Sequence, residues 1–599
     1  MSPKPQSGPG GSASFERPRK KPGEILKRLW HYLYAYKWLL LLAVCLSIAS
    51  NLLSLVGPKL SGYVIDAMQL GQGKVDFPTV FRYAGWMLVF YFLSSALSYA
   101  LASLMIRISR KVVYSMRRDV FNKLTSLPVR FFDQRQTGDV ISVISYDIDT
   151  INASLSSDLV TMLSSIITVG GAFLMMLTIS PKLILVFVVT IPISVLFTRY
   201  RSQKVRPMYR KRSEKLGALN GYVEEMTGGM RTIQAYSREK VFLGRFDEKN
   251  EEAVDSNYKA DRFAAMTGPT VNFINNLSLA LISIFGAMMY MAGGITLGNI
   301  SSFVLYSRKF SGPINEFANI ISDLQSALAA AERVLTLIDT EPEPVDPADA
   351  MVLSDVAGDV ALEKVVFAYD QGKTILKGID FHAEPGKTIA IVGPTGCGKT
   401  TIINLLMRFY DVNEGRVCVD GADVREVTRK SLRLAYTMVL QDTWLFSGTI
   451  FENIAYGKEG VTREEVEQAA KAARIHRFIE SLPHGYDTEL SDNGVNISKG
   501  QKQLLTIARA MLLDSPMLIL DEATSNVDTR TERRIQAAML ELMKGRTCLV
   551  IAHRLSTIEH ADHILVMNGG EIVEQGRHEE LMERKGEYYA LYHAQFEEE

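Results

Sequence analysis

An apolar strand pattern, Ile389-Ala390-Ile391-Val392, runs directly into Gly393-Pro394-Thr395-Gly396-Cys397-Gly398-Lys399-Thr400, and a helical pattern opens at Thr401-Ile402-Ile403. Strand, glycine-rich loop and helix in that order are the setting in which G-x-x-x-x-G-K-[ST] binds phosphate. The glycines let backbone N–H groups close around phosphate oxygens, and the positive end of the helix favours their charge. Lys399 is then placed to reach β- and γ-phosphates, and the Thr400 hydroxyl to bind Mg2+. A second apolar run, Met517–Leu520, ends in two carboxylates, Asp521 and Glu522. Beside a phosphate loop, Asp521 can hold the metal through water and Glu522 can polarise an attacking water, because phosphoryl transfer depends mostly on positioning and charge neutralisation. The competing reading is an ordinary polar strand end. Three further residues are ambiguous alone. His553 follows the run Cys548–Ala552, Gln441 follows Tyr436–Leu440, and Ser498 of Ile497-Ser498-Lys499-Gly500-Gln501 reads as a helix N-cap. Cys397 lies inside the phosphate loop, so a maleimide on it is expected to put bulk where phosphates sit, with ATP protecting.

The residues that must position this chemistry come from 352–599, where short β-rich runs alternate with helical patterns, as in an α/β domain. Before it, 341–350 is an acidic, proline-rich stretch, and 331–351 reads as a linker. Residues 24–330 are different. Six apolar segments, roughly Trp38–Leu55, Tyr83–Met105, Leu159–Leu177, Leu183–Thr198, Val271–Met291 and Ile300–Ile321, approach the 20 or so residues that span a bilayer core. The segments near 183 and 300 are short or polar, and a large soluble bundle is the competing reading. Arg308 and Lys309 fall midway along the last segment, with Pro313 and Glu316 next. They read equally well as a cavity lining or as a structural ion pair with Glu316 or a neighbouring helix.

Connections near Leu60–Phe77, Ser180–Lys182 and Ala292–Gly298 are short and poor in Lys and Arg, whereas 106–158 and 199–267 are long and basic. Basic loops stay inside, which puts both termini in the cytoplasm. The long loops keep helical periodicity, so the helices are expected to run on into the cytosol and to reverse at Gln136–Gly138 and Thr227–Gly229, where glycine permits tight turns. Residues 1–23 read as a disordered, basic-ended tail and not as a secretory signal. Over all 599 residues Lys+Arg equals Asp+Glu at 66 each, which removes the electrostatic case for nucleic acid. The four cysteines lie far apart, against a disulfide scaffold or zinc module.

Together these features resemble the ATP-binding cassette (ABC) family. The order is Tyr369, Gly393–Thr400, Gln441, Ile497–Gln501, Asp521-Glu522, Ser525-Asn-Val-Asp528 and His553; Phe131–Gly138 and Glu224–Glu239 look like the intracellular loops of its exporters. The resemblance implies a membrane α-helical bundle of six transmembrane helices fused to an α/β P-loop nucleotide-binding domain. It implies ATP and Mg2+ as cofactors, with Tyr369 on the adenine, and Gly393, Pro394, Thr395, Gly396, Cys397, Gly398, Lys399, Thr400 and Thr401 around the phosphates. Thr400, Gln441 and Asp521 would serve the metal, and Glu522, His553 and Lys399 catalysis. Ser498, Gly500 and Gln501 would meet the ATP of a partner cassette. The expected protein is half of a dimeric multidrug-type exporter in the plasma membrane, moving a small hydrophobic or amphipathic substrate or a lipid; a homodimeric lipid or peptide exporter is the alternative. A soluble ABC ATPase conflicts with the six spans, and a non-pumping channel with the intact Glu522.

Two departures from the family pattern stand out. Lys499 replaces a glycine in the Leu-Ser-Gly-Gly-Gln signature, and Ser491–Gly494 replaces the usual Val-Gly-Glu stretch. A partner with a normal signature would complete this chain's site, which favours a heterodimer.

Overall fold

Helices in the first half far exceed the thickness of a bilayer. The computed structural model describes residues 21–68, 75–370, 372–440, 443–490, 497–521, 528–552 and 558–596, and within them the side chains of 202, 267, 314–319, 595 and 596 are excluded. The chain divides into two units: Met1–Ser126 with Arg135–Thr340, and Leu127–Gln134 with Glu341–Glu599.

The first unit begins with α1 (Pro22–Tyr34), a short amphipathic helix with proline in its first turn. Then come α2 (Lys37–Ala67) and α3 (Phe77–Thr125). After the excursion carrying α4 (Val129–Asp133), the unit continues with α5 (Thr137–Ile179) and α6 (Pro181–Gly228). It closes with α7 (Met230–Ala235), α8 (Glu239–Met291) and α9 (Leu297–Ile338). Among the described residues five helices, α2, α3, α5, α6 and α8, are long and apolar enough to cross a membrane. The sixth, α9, has 42 residues but is more polar, as Ser301, Ser302, Ser307, Arg308 and Lys309 dictate. It still belongs to the bundle core, where Phe303 and Tyr306 are fully buried with Leu55, Met176 and Ile282.

Close approach of α2 and α9 depends on two glycines. A Cβ on Gly298 would lie 2.0 Å from the Gly62 carbonyl oxygen, and one on Gly62 would lie 2.1 Å from Ser302 Oγ. Small residues at such crossings let backbones touch. Asp66 then caps α9: its carboxylate accepts from Gly298 N at 2.7 Å and from Thr296 Oγ1 at 2.8 Å. An anion at a helix N-terminus is stabilising. Gly298→Val is therefore expected to destabilise the bundle by about 1–3 kcal/mol through overpacking. A thermal melt unchanged from wild type would refute this contact.

The reversals differ from expectation. The first occupies 126–136, includes α4, and is over before Gly138, which is already helical. The second starts at Gly229 as expected, but Gly229 has φ −89°, and the left-handed residue is Ser237 at φ 52°. Glycine is thus not what turns the chain at either point. Between α5 and α6 a single extended residue, Ser180, suffices, with Pro181 opening the next helix.

The second unit holds two sheets. One is antiparallel, in the order β2 (Leu376–Ala383), β1 (Val360–Phe367), β4 (Glu414–Val419), β5 (Ala422–Asp423). The other has the order β12 (Glu571–Gly576), β11 (His563–Asn568), β3 (Thr388–Val392), β10 (Thr547–Ile551), β9 (Met517–Asp521), β6 (Tyr436–Val439). Strands β7 (Gly448–Thr449) and β8 (Glu489–Leu490) pair separately. In the second sheet all pairs are parallel except β11 with β12. Unbroken apolar runs such as Cys548-Leu549-Val550-Ile551 suit strands buried on both faces. One core lies between the two sheets, and another lies between the parallel sheet and its helices. The acidic stretch belongs to this unit: Arg429 Nη1 donates to Asp346 at 2.6 Å, and Arg433 Nη1 donates to Glu343 at 3.2 Å.

Candidate nucleotide site

Parallel register gathers the expected residues at one edge of the sheet. Ile551 of β10 lies opposite Ile391 of β3 on one side and Asp521 of β9 on the other, and Val439 of β6 lies opposite Leu520. The carboxyl ends of four strands therefore meet where Gly393 begins the loop. Ligands of open α/β sheets bind at such strand ends. Gln441, Glu522 and His553, expected just beyond β6, β9 and β10, lie outside the described residues, as do Ser525 and Ser491–Gly494.

The loop's shape requires its glycines. Gly393 has φ 152°, and a Cβ there would lie 2.2 Å from the Met567 carbonyl oxygen of β11. Gly398, at φ 107°, is the left-handed residue immediately before α10 (Lys399–Leu406), and a Cβ would meet Leu376 at 2.7 Å. Pro394, Thr395 and Gly396 are exposed at the rim, and Thr400 is exposed on the first turn of the helix. Lys399 curls back over its own loop, donating to the carbonyls of Gly393 at 2.7 Å and Pro394 at 3.1 Å.

Cys397 corrects one expectation. Its side chain is buried at 3% exposure in the core beneath the loop. Alkylation is thus blocked by packing before it can test the phosphate site. Cys418 and Cys548 are also buried, and burial pushes the Cys548 thiol up to about 12. The thiolate is the nucleophile. The folded protein is expected to resist maleimide at Cys397, Cys418 and Cys548 until denatured. Rapid labelling of Cys397, read by mass spectrometry and slowed by ATP, would reverse this.

Tyr369 is held by its surroundings. Its hydroxyl donates to Thr401 Oγ1 at 3.2 Å and accepts from Asn404 Nδ2 at 3.1 Å, tying the ring to α10. Phe367 and Tyr410 meet it nearly perpendicularly, with centroids at 4.8 and 5.0 Å. Thr401 thereby serves Tyr369, and its side chain is buried. Sequence reasoning missed the next contacts. Tyr410 donates to Asp133 of α4 at 2.7 Å, and Arg130 of the same helix donates to the Tyr369 carbonyl at 3.2 Å. Burial, and then the bond to Asp133, push the Tyr410 hydroxyl above the usual tyrosine range. The only sequence signal was the aromatic pair Phe409-Tyr410 after the helix.

The signature segment forms a cap, as read. Ser498 is the N-cap of α11 (Lys499–Leu513): its Oγ accepts from Gln501 N at 3.3 Å, and Gln501 Oε1 accepts from Ser498 N at 2.8 Å. Gln501 therefore has a local structural partner, and Gly500 is buried. Lys499 sits at the first helical position, where a cation opposes the helix dipole.

Comparison with known proteins decides the family. Residues 40–314 match the ABC transporter transmembrane region, and residues 376–525 match the ABC transporter family. An uncharacterized ABC transporter ATP-binding protein of Bacillus subtilis (strain 168), YfiC, is 42% identical over 572 residues, 96% of this chain and 94% of the relative. The chain belongs to the ABC transporter family. As an ABC transporter of exporter type, it is a multi-pass membrane protein that binds ATP and couples ATP hydrolysis to transport. A fatty acid ABC transporter ATP-binding/permease protein of Mycobacterium bovis (strain ATCC BAA-935 / AF2122/97) is 42% identical over 521 residues, 87% of this chain and 82% of the relative. The solved structure of a bacterial Atm1-family ABC exporter with ATP bound is similar at TM-score 0.74 and 31% identity, covering 96% of this chain and 99% of that one.

Proposed function

We propose that this ABC transporter is one half of a dimeric exporter that moves a hydrophobic or amphipathic cargo, drug-like or lipid, out of the cytoplasm by alternating access, and that its partner is a different half-transporter. The glycine cradle at 393–398 supports a polyphosphate reading, since a side chain at either end would collide with the fold. On ATP binding, Lys399 leaves its carbonyls for the phosphates and the loop's N–H groups take the oxygens. Thr400 and Asp521 are hard oxygen donors suited to Mg2+, with Gln441 completing the set. Mg2+ supplies charge neutralisation of the phosphates. Glu522 orients water, His553 contacts the γ-phosphate, and Tyr369, anchored by Thr401 and Asn404, receives the adenine. Residues 24–330 form the membrane domain and 352–599 the cassette, with both termini cytoplasmic.

The observation that carries the heterodimer is Lys499. A long cation at the first position of α11 stands where a partner's nucleotide would approach Ser498 and Gly500. A homodimer would repeat that side chain at both ATP sites, whereas a heterodimer confines it to one. The relative named for fatty acid favours an acyl-chain cargo. The test is expression of this chain in membranes alone and with a neighbouring half-transporter. ATPase and transport are expected only together; a brisk homodimer would end the heterodimer proposal.

A further inference from the structure

Helix α9 carries two consecutive cations, Arg308 and Lys309, eleven and twelve residues beyond its start at Leu297. At 1.5 Å per residue that is about 17 Å into the bundle, near the middle of a hydrocarbon core about 30 Å thick. The neighbouring helix gives the same depth. Lys309 Nζ donates to Ser54 Oγ of α2 at 2.6 Å, and Ser54 lies thirteen residues, or about 20 Å, before the end of α2 at Ala67. Tyr306 and Ser302 fix the register, donating to the carbonyls of Leu55 at 2.6 Å and Pro58 at 2.9 Å.

Among the described residues, neither cation is neutralised by this packing. Ser54 satisfies one ammonium donor but carries no charge. Among the described residues no carboxylate lies within ion-pair distance of Arg308 or Lys309, while Glu316, offered by the sequence, has its side chain outside them. Arg308 is exposed on the stripe shared with Gly312, the side that the bundle leaves uncovered, and Lys309 is half-buried beside it. Charge at this depth is costly unless it faces a wet cavity or meets an opposite charge. An occupant that removes this cost brings a negative head to the cations and an apolar tail to the surrounding Val304 and Leu305, which are partly exposed.

We propose that Arg308 and Lys309 form the head-group site for the cargo, and that the cargo is an anionic amphiphile with a carboxylate or phosphate head on an acyl chain. This rests on the exporter reading and names its substrate class. It excludes cationic and neutral amphiphiles as preferred cargo.

The experiment uses the full chain, with its partner half where one is required, in phosphatidylcholine nanodiscs. Binding of oleate, oleoyl lysophosphatidate, oleyl alcohol and oleylamine is measured side by side, so that the tail is constant and only the head varies. At least one anion is expected to bind about tenfold or more tightly than the alcohol, the difference that a charge-assisted hydrogen bond provides. Oleate against lysophosphatidate then identifies carboxylate or phosphate as the preferred head. R308Q/K309Q should remove that advantage and leave the alcohol's affinity unchanged. K309R keeps the charge while losing the ammonium's fit to Ser54, and should retain it. Equal affinity for anion and alcohol, tighter binding of the amine, or full anion preference in R308Q/K309Q overturns the proposal. Head-group comparison on the wild-type chain decides even where a variant fails to fold. Transport is read separately: anion-selective binding without ATP-driven movement across liposomes would sink the exporter reading and leave the head-group site standing.

Discussion

Lys399→Ala is expected to lower ATP turnover by about 10²–10³-fold, the range seen when one preorganised donor to developing charge is removed. The side chain already sits over the loop, bonded to Gly393 and Pro394, so its replacement removes the cation without disturbing the fold beneath. The defect should appear in binding as well as turnover. Glu522→Gln should depress turnover comparably for another reason: the phosphate contacts remain, so ATP stays bound. Measuring hydrolysis together with nucleotide retention on a filter separates the two. A Glu522→Gln protein that hydrolyses ATP like wild type would remove Glu522 from its proposed role, and a Lys399→Ala protein that retains ATP normally would remove Lys399 from phosphate binding.

The largest expected loss of stability comes from Arg333→Ala. Asp147 is 2% exposed and lies on a π-helical turn of α5, Val143–Asp147. Arg333 of α9 reaches it with both Nε, at 2.8 Å, and Nη2. Removing the arginine leaves a buried carboxylate without its cation, at a cost of about 3 kcal/mol, the low end of the range because the guanidinium is itself partly exposed. Thermal unfolding of the purified protein should show the loss, and Asp147→Asn in the Arg333→Ala background should recover part of it. A melt that does not move would mean that solvent reaches Asp147 already.

Some of this architecture was legible because it is local. Residues 389–401 announce a strand, a loop that tolerates only glycine at its ends, and a helix; Ser498 and Gln501 are three apart, the spacing of a reciprocal cap. The long helices were legible from apolar runs that continue as periodic polar ones. The reversals were misread because glycine permits a turn without requiring one: Gly138 is helical, and Ser237 carries the positive φ. Contacts between distant positions were not legible as pairs. Tyr410 and Asp133 are 277 residues apart, and although each lies in a stretch the sequence marks, neither stretch names the other as its partner. Asp66 was invisible for the same reason, since its value depends on Gly298 and Thr296 arriving from the far end of the bundle.

The uninterrupted helix α3, Phe77–Thr125, has a mechanical consequence. At 1.5 Å per residue its 49 residues make a rod about 73 Å long. It contains no proline beyond its first turn and is continuous α-helix from end to end, so it lacks a proline kink. Rotating one end by about 5° about the other sweeps its tip through about 6 Å, wider than a water molecule and close to the width of an acyl chain. Small angular strokes at Thr125 are thereby magnified at Phe77. The rod behaves as a lever whose gain is set by its length.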